Sequence, residues 1–94
     1  MNKPVCVINQ EGNKHWYLNG KLHREDGPAI EWADGDKFWM FHNKIHREDG
    51  PAVEYANGTI EYWFDDHRYF KKDYYKELVK RGLMSKEDAI IELL

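Results

Sequence analysis

Large apolar residues recur in pairs two positions apart. Trp16 and Leu18, Trp39 and Phe41, and Tyr62 and Phe64 form three such pairs, each set 23 residues after the last. Side chains alternate faces along a strand, so a spacing of two predicts three equivalent strands with one apolar face. Those six residues are expected to stack as a continuous core column, which Ile30, Trp32, Val53 and Tyr55 extend from the partner strands. The opposite phase holds His15, Tyr17, Phe38, Met40, Glu61 and Trp63, a mixed face on which exposed aromatics are expected.

The interruptions carry the same period. His23-Arg24-Glu25-Asp26-Gly27-Pro28-Ala29 recurs as His46-Arg47-Glu48-Asp49-Gly50-Pro51-Ala52. Between 12–34 and 35–57, 13 of 23 positions are identical. A fixed period of this size marks one supersecondary unit that is stacked on copies of itself. Ile30-Glu31-Trp32-Ala33 runs into Asp34-Gly35, and Val53-Glu54-Tyr55-Ala56 into Asn57-Gly58. These dipeptides predict tight two-residue hairpins with φ > 0 at both positions. A second turn is expected at Asn19-Gly20, His42-Asn43 and Asp65-Asp66. Residues 4–10 read as the tail of a truncated first copy, with Val7 equivalent to Ile30 and Val53.

After Phe64 the period changes. Tyr74 and Leu78, then Tyr75 and Val79, stand four apart, and Gly82 stops a helix running from Lys71 to Arg81. Ser85-Lys86-Glu87-Asp88 resembles a capping box ahead of a second short helix. The predicted fold is therefore mainly β, an antiparallel meander of β-hairpin units with two short C-terminal helices. It occupies a single domain, 1–94, with repeats over 4–70 and a helical cap over 71–94. Terminal units of an array need such a cap, because no neighbour covers their apolar edge. The same helices are alternatively a docking element for a partner.

Composition narrows the function. Aromatics make up 15 % of the chain, enough to build a small core despite 33 % charged residues. The 14 basic and 17 acidic side chains are interspersed, which argues against a nucleic-acid partner. Cys6, the one cysteine, lies in Val5-Cys6-Val7-Ile8 and is expected to be a buried, inert thiol. No signal-peptide or membrane-spanning pattern is present, so a cytoplasmic location without membrane attachment is expected, the host cytoplasm if the chain is viral.

Trp16-x-x-Asn19-Gly20-Lys21-x-His23, with Asp34-Gly35 and a new Trp39 after it, resembles the MORN-type repeat over about residues 5–70. That resemblance implies a scaffold or binding role. The residues after His23 and His46 depart from the Gly-x-Gly usual in that family. The lipid-binding and membrane-junction roles of some MORN proteins are therefore not carried over. The His-Arg-Glu-Asp-Gly-Pro-Ala variant looks like repeats found in phage and large-virus proteins, which implies an accessory protein that binds and modulates a host protein, a defence factor for instance.

The polar residues admit three readings. Metal ligation by His23, Asp26, His46 and Asp49 is disfavoured, since equivalent loops two strands apart sit roughly 10 Å from each other. No catalytic constellation stands out, so neither an enzyme nor a cofactor is expected. A structural role suits His23, Asp26, Gly27, Pro28, His46, Asp49, Gly50 and Pro51. In that role Asp26 or Glu25 accepts from loop amides, and Arg24 forks onto a carboxylate of its own copy or the next, such as Glu48. The binding reading takes Tyr17, Phe38, Met40 and Trp63 as an exposed stripe and Arg24 and Arg47 as an anion-recognising rim. The leading expectation is a non-enzymatic protein–protein interaction module. Its alternatives are a binder or sponge for a signalling nucleotide, and a homo-oligomer formed by pairing of repeat edges. Whether the stripe is free or covered by the helices is left open.

Overall fold

The computed structural model describes residues 3–94. Met1 and Asn2, which open the predicted domain, lie outside the described residues. The strands are β1 (Val5–Ile8), β2 (Lys14–Leu18), β3 (Lys21–Leu22), β4 (Ile30–Glu31), β5 (Lys37–Phe38), β6 (Met40–Phe41), β7 (Lys44–Ile45), β8 (Val53–Glu54), β9 (Ile60–Phe64) and β10 (His67–Tyr69). Helices α1 (Lys71–Lys80) and α2 (Lys86–Glu92) complete the chain. β1, β2, β4, β5, β8, β9 and β10 lie side by side in that order, and β3 pairs with β2. All pairings are antiparallel. The fold is mainly antiparallel β with two short C-terminal helices. The strand expected over 37–41 divides at Trp39, because β5 pairs with β4 and β8 while β6 turns away to pair with β7.

Turn chemistry explains the hairpins. Asn19 and Gly20, His42 and Asn43, and Asp65 and Asp66 all have positive φ, the geometry of two-residue primed turns. Two of these turns also stitch one copy to the one before. Asn43 Oδ1 accepts from the Leu22 N–H at 2.7 Å, and Asp66 Oδ1 from the Ile45 N–H at 2.7 Å. The other turns are longer than predicted. Trp32 N–H donates to Asp36 O and Gly35 N–H to Trp32 O, so the loop has three residues and only Gly35 takes positive φ, 105°. Tyr55, Gly58 and Thr59 repeat that pattern. The side chains of Asp34 and Asn57 close these loops by accepting from Asp36 and Thr59 amides.

One extra loop residue changes every face beyond it. A two-residue turn would set Ile30 opposite Trp39. The three-residue loop sets it opposite Phe38 instead. A slip of one residue moves a side chain to the other face of the sheet. Ile30, Trp32, Val53 and Tyr55 therefore do not extend the Trp16 column. His15, Ile30, Phe38, Val53 and Glu61 are opposed in successive strands and share the other face. Trp32 meets the His15 ring there at 5.2 Å, and Tyr55 meets Phe38 at 6.2 Å.

The buried core is also displaced from the expected column. It gathers at the C-terminal end, where Tyr62 and Phe64 pack with Tyr74, Tyr75 and Leu78 of α1 and Ala89 of α2. Trp16, Leu18 and Trp39 are half-buried, and Phe41 is exposed. Gly82, at φ 73°, ends α1, and Ser85 Oγ caps α2 by accepting from the Asp88 N–H at 3.1 Å. Cys6 is exposed rather than buried, because β1 is the sheet edge and all four of its side chains face solvent. Extents of 44 × 35 × 18 Å fit one sheet with a single layer laid on one side.

Candidate functional site

The repeated loops hold the residues that most resemble a chemical site. His23 is buried, and its Nδ1 accepts from the His42 N–H at 3.1 Å. His46 Nδ1 accepts from the Asp65 N–H at 3.1 Å. Each Nε2 is left facing a glutamate two residues on, Glu25 at 3.5 Å and Glu48 at 3.0 Å. The imidazoles thus hold one copy's turn against the loop before it. Phe41 lies between them, 4.4 Å from the His23 ring and 5.6 Å from the His46 ring.

Both arginines bond within their own copies through Nε and Nη1. Arg24 Nε donates to Asp26 at 3.1 Å, and its Nη1 reaches Pro28 O at 3.1 Å and Glu31 at 3.5 Å. Its guanidinium lies 3.9 Å over Trp16. Arg47 repeats the set with Asp49, Pro51 O, Glu54 and Trp39. Asp26 therefore takes the guanidinium rather than loop amides, and Arg24 meets Glu31 rather than Glu48. Gly27 leaves room for this closure, since a Cβ there would come within 2.9 Å of the Arg24 guanidinium carbon.

Helix α1 completes the pattern where the third copy lacks it. The position equivalent to Arg47 is Phe70, which is 84 % exposed and takes no part. Tyr74 lies against Tyr62 at 4.9 Å, as Arg24 lies on Trp16 and Arg47 on Trp39. Arg81 sits 4.4 Å over Phe64, the ring equivalent to Phe41 on which His46 of the same copy lies; the third copy has Tyr69 in that histidine's place. The Tyr74 hydroxyl donates to Arg47 O and accepts from the Gly50 N–H. Burial pushes the Tyr74 phenol well above its usual 10, and burial, with smaller contributions from the nearby Tyr62 and Glu92, raises Tyr75 to about 12. Sequence reasoning missed these stand-ins. Helical spacing marked Tyr74 and Tyr75 as an apolar stripe but said nothing about what they would replace.

The six residues of the binding reading do not converge. Arg24 and Arg47 lie with Trp16 and Trp39 on the face that carries the loops and α1. Met40 is buried, at 8 % exposure, which removes it from any surface stripe. Phe38 and Trp63 are half-buried and Tyr17 is exposed, all three on the opposite face. That face also carries His15, Trp32 and Tyr55. Its polar groups are few and tied together: Glu61 accepts from the Trp63 indole at 2.9 Å and from the Tyr55 hydroxyl at 3.5 Å, and faces Arg68 at 3.6 Å. Tyr17 and Trp32 are the most exposed aromatics there, at 36 % and 38 %. The contacts of α1 run to Tyr62 and Phe64 on the other side, so this aromatic surface stays open.

Between the two loops runs an open groove of about 760 Å³, rimmed by Glu25, Asp26, Glu48 and Asp49 and floored by Trp39 and Phe41. Among the described residues, no three His, Cys, Asp or Glu side chains form a group able to hold a metal ion. Among them also, no helix is long and apolar enough to cross a membrane. Comparison of the chain with protein-family models, curated proteins and solved structures gives no match.

Proposed function

We propose that this chain is a non-enzymatic protein–protein interaction module, and that the open aromatic face of its sheet is the binding surface. The observation that carries this reading is a division of labour between the two faces. Histidine side chains of the repeated loops hold one copy to the next, and the arginines and carboxylates close each loop within its own copy. On the opposite face Tyr17 and Trp32 remain exposed beside the half-buried Phe38, Tyr55 and Trp63. Contiguous exposed aromatic surface of this kind is what interaction sites use, since large rigid rings bury much area at small entropic cost.

The signalling-nucleotide reading required free guanidinium groups beside exposed aromatics. Arg24 and Arg47 instead face two carboxylates each, on the other side of the sheet from Tyr17 and Trp32. The resemblance of the loop heptad to phage and large-virus repeats makes a host protein, met in the host cytoplasm, the first partner class to test.

The experiment is affinity capture from host lysate, then titration calorimetry with the protein retained. The account expects one stoichiometric partner. A Tyr17→Ser/Trp32→Ser variant should bind it at least about tenfold more weakly, because two exposed rings worth roughly 1 kcal/mol or more each are removed. Equal affinity of a folded double variant would move the binding surface elsewhere.

A further inference from the structure

Among the described residues, β1 is where the sheet stops. Its exposed side chains are apolar on both faces: Val5 is 65 %, Val7 54 % and Ile8 60 % exposed. Its outward backbone is unpaired as well. Asn9 N–H donates to Asn13 O, and the same register sets Val7 opposite His15 and Val5 opposite Tyr17. Bonded and non-bonded positions alternate along an antiparallel pair, so Val5, Val7 and Asn9 bond to β2. Cys6 and Ile8 then direct their N–H and C=O groups outward. The opposite edge is different. β10 carries His67 and Arg68 and packs against α1. Edge strands are ordinarily blunted by charge or proline. Around β1 the charges are confined to the flanks, at Lys3 and Glu11, and Pro4 stands only at the start.

We infer that β1 pairs antiparallel with β1 of a second copy, about a two-fold axis through Val7. With Val7 opposite Val7 of the second copy, Cys6 stands opposite Ile8, and the outward N–H and C=O groups of each meet those of the other. The same pairing brings Lys3, ahead of the strand, to the end at which Glu11 of the second copy stands in the turn after it, so the flanking charges are self-complementary. Sliding by two residues one way puts Pro4, which lacks an N–H, opposite Ile8 and parts Lys3 from Glu11. Sliding the other way also parts them. An isologous contact of this kind closes on itself. Val5 and Val7 share the face of His15 and Tyr17, so the pairing joins two open aromatic faces into one surface. The pairing goes beyond the protein-binding reading and does not depend on it.

Sedimentation and light scattering over a range of concentrations give the first test, with dimer as the expected limiting species. Lys3→Glu should weaken the dimer about threefold to tenfold by setting like charges across both ends, and Lys3→Glu/Glu11→Lys should restore it. Both positions are exposed, and the swap removes the 3.4 Å bond that Glu11 Oε2 accepts from Asn13 Nδ2, so circular dichroism checks the fold of the variant first. Oxidation reads the register. Val7→Cys in a Cys6→Ser background should crosslink, since directly opposed non-bonded residues have Cα atoms about 4.5 Å apart. Wild-type Cys6 should not, because it is offset from its counterpart by two residues, beyond the reach of about 7 Å. Monomer at every concentration overturns the inference. So does a dimer that is indifferent to the charge swap and uncaptured at Val7, or an open polymer built by β1 joining β10. A monomer that still captures a partner protein would overturn the dimer alone. A dimer that captures none would overturn the protein-binding reading alone.

Discussion

The two His-Arg-Glu-Asp-Gly-Pro-Ala loops have the same seven residues and the same internal contacts, yet they live in different surroundings. Arg24 and Arg47 each bond to an aspartate, a proline carbonyl and a glutamate, and each covers a tryptophan. The second loop is also closed by Tyr74, which bonds to Arg47 O and the Gly50 amide. Gly50 is buried and Gly27 is half-buried. Local sequence therefore dictates the loop, while its environment is set by the next element along the chain. Both loops rest on the next copy, through Arg24 N–H to Met40 O and Arg47 N–H to Trp63 O, and the second is closed by the helix as well.

The largest effect expected from this contrast is at Tyr74, whose side chain is fully buried. Tyr74→Ala should cost about 3–5 kcal/mol in urea unfolding, as for other large aromatic truncations in a core. The arginines should then behave alike. Arg24→Ala and Arg47→Ala are each expected to cost about 1.5–3 kcal/mol, and to agree within about 1 kcal/mol, because their side chains make the same bonds. A large gap between them would mean that the cap acts through the guanidinium as well as the backbone.

Tyr74→Phe should cost less, about 1–2 kcal/mol, through the unpaired Gly50 N–H and Arg47 C=O. It should also alter alkaline unfolding. Burial raises the Tyr74 and Tyr75 phenols above the usual 10. The unfolded chain therefore loses these protons first, and the stability they contribute is present below pH 10 and lost as pH rises toward about 12. Denaturant titrations between neutral pH and that range should show this fall, and Tyr74→Phe should make it shallower. The smallest effects belong to the loop rims. Glu25→Gln and Glu48→Gln should each stay within about 0.5 kcal/mol, since both carboxylates are exposed.

Much of the architecture was legible because the 23-residue offset aligns turns as well as strands. Asn19-Gly20, His42-Asn43 and Asp65-Asp66 turn where expected, and the helices start and stop near Ser85 and Gly82. Face assignment failed for a definite reason. Asp34-Gly35 and Asn57-Gly58 suit both a two-residue turn and a three-residue loop with a glycine bulge, and the choice decides which way Ile30 and Val53 point. The candidate surface was half legible on the same account. Tyr17, Phe38 and Trp63 share the open face as their phase required, whereas Met40, at the position equivalent to Tyr17 and Trp63, is buried. Nothing in a periodic pattern could reveal that a helix outside the period would supply Tyr74 and Arg81 in place of the missing arginine and histidine.

Hydrogen exchange at two glycine amides tests the contrast most directly. Gly27 and Gly50 occupy the same place in identical heptads, and the Gly50 N–H donates to the Tyr74 hydroxyl at 3.3 Å. The Gly50 amide is predicted to exchange markedly more slowly than that of Gly27, and Tyr74→Phe should erase most of the difference while the chain stays folded. Equal protection of the two amides in the unaltered protein would contradict the account, because the cap would then add nothing that the repeat does not already provide.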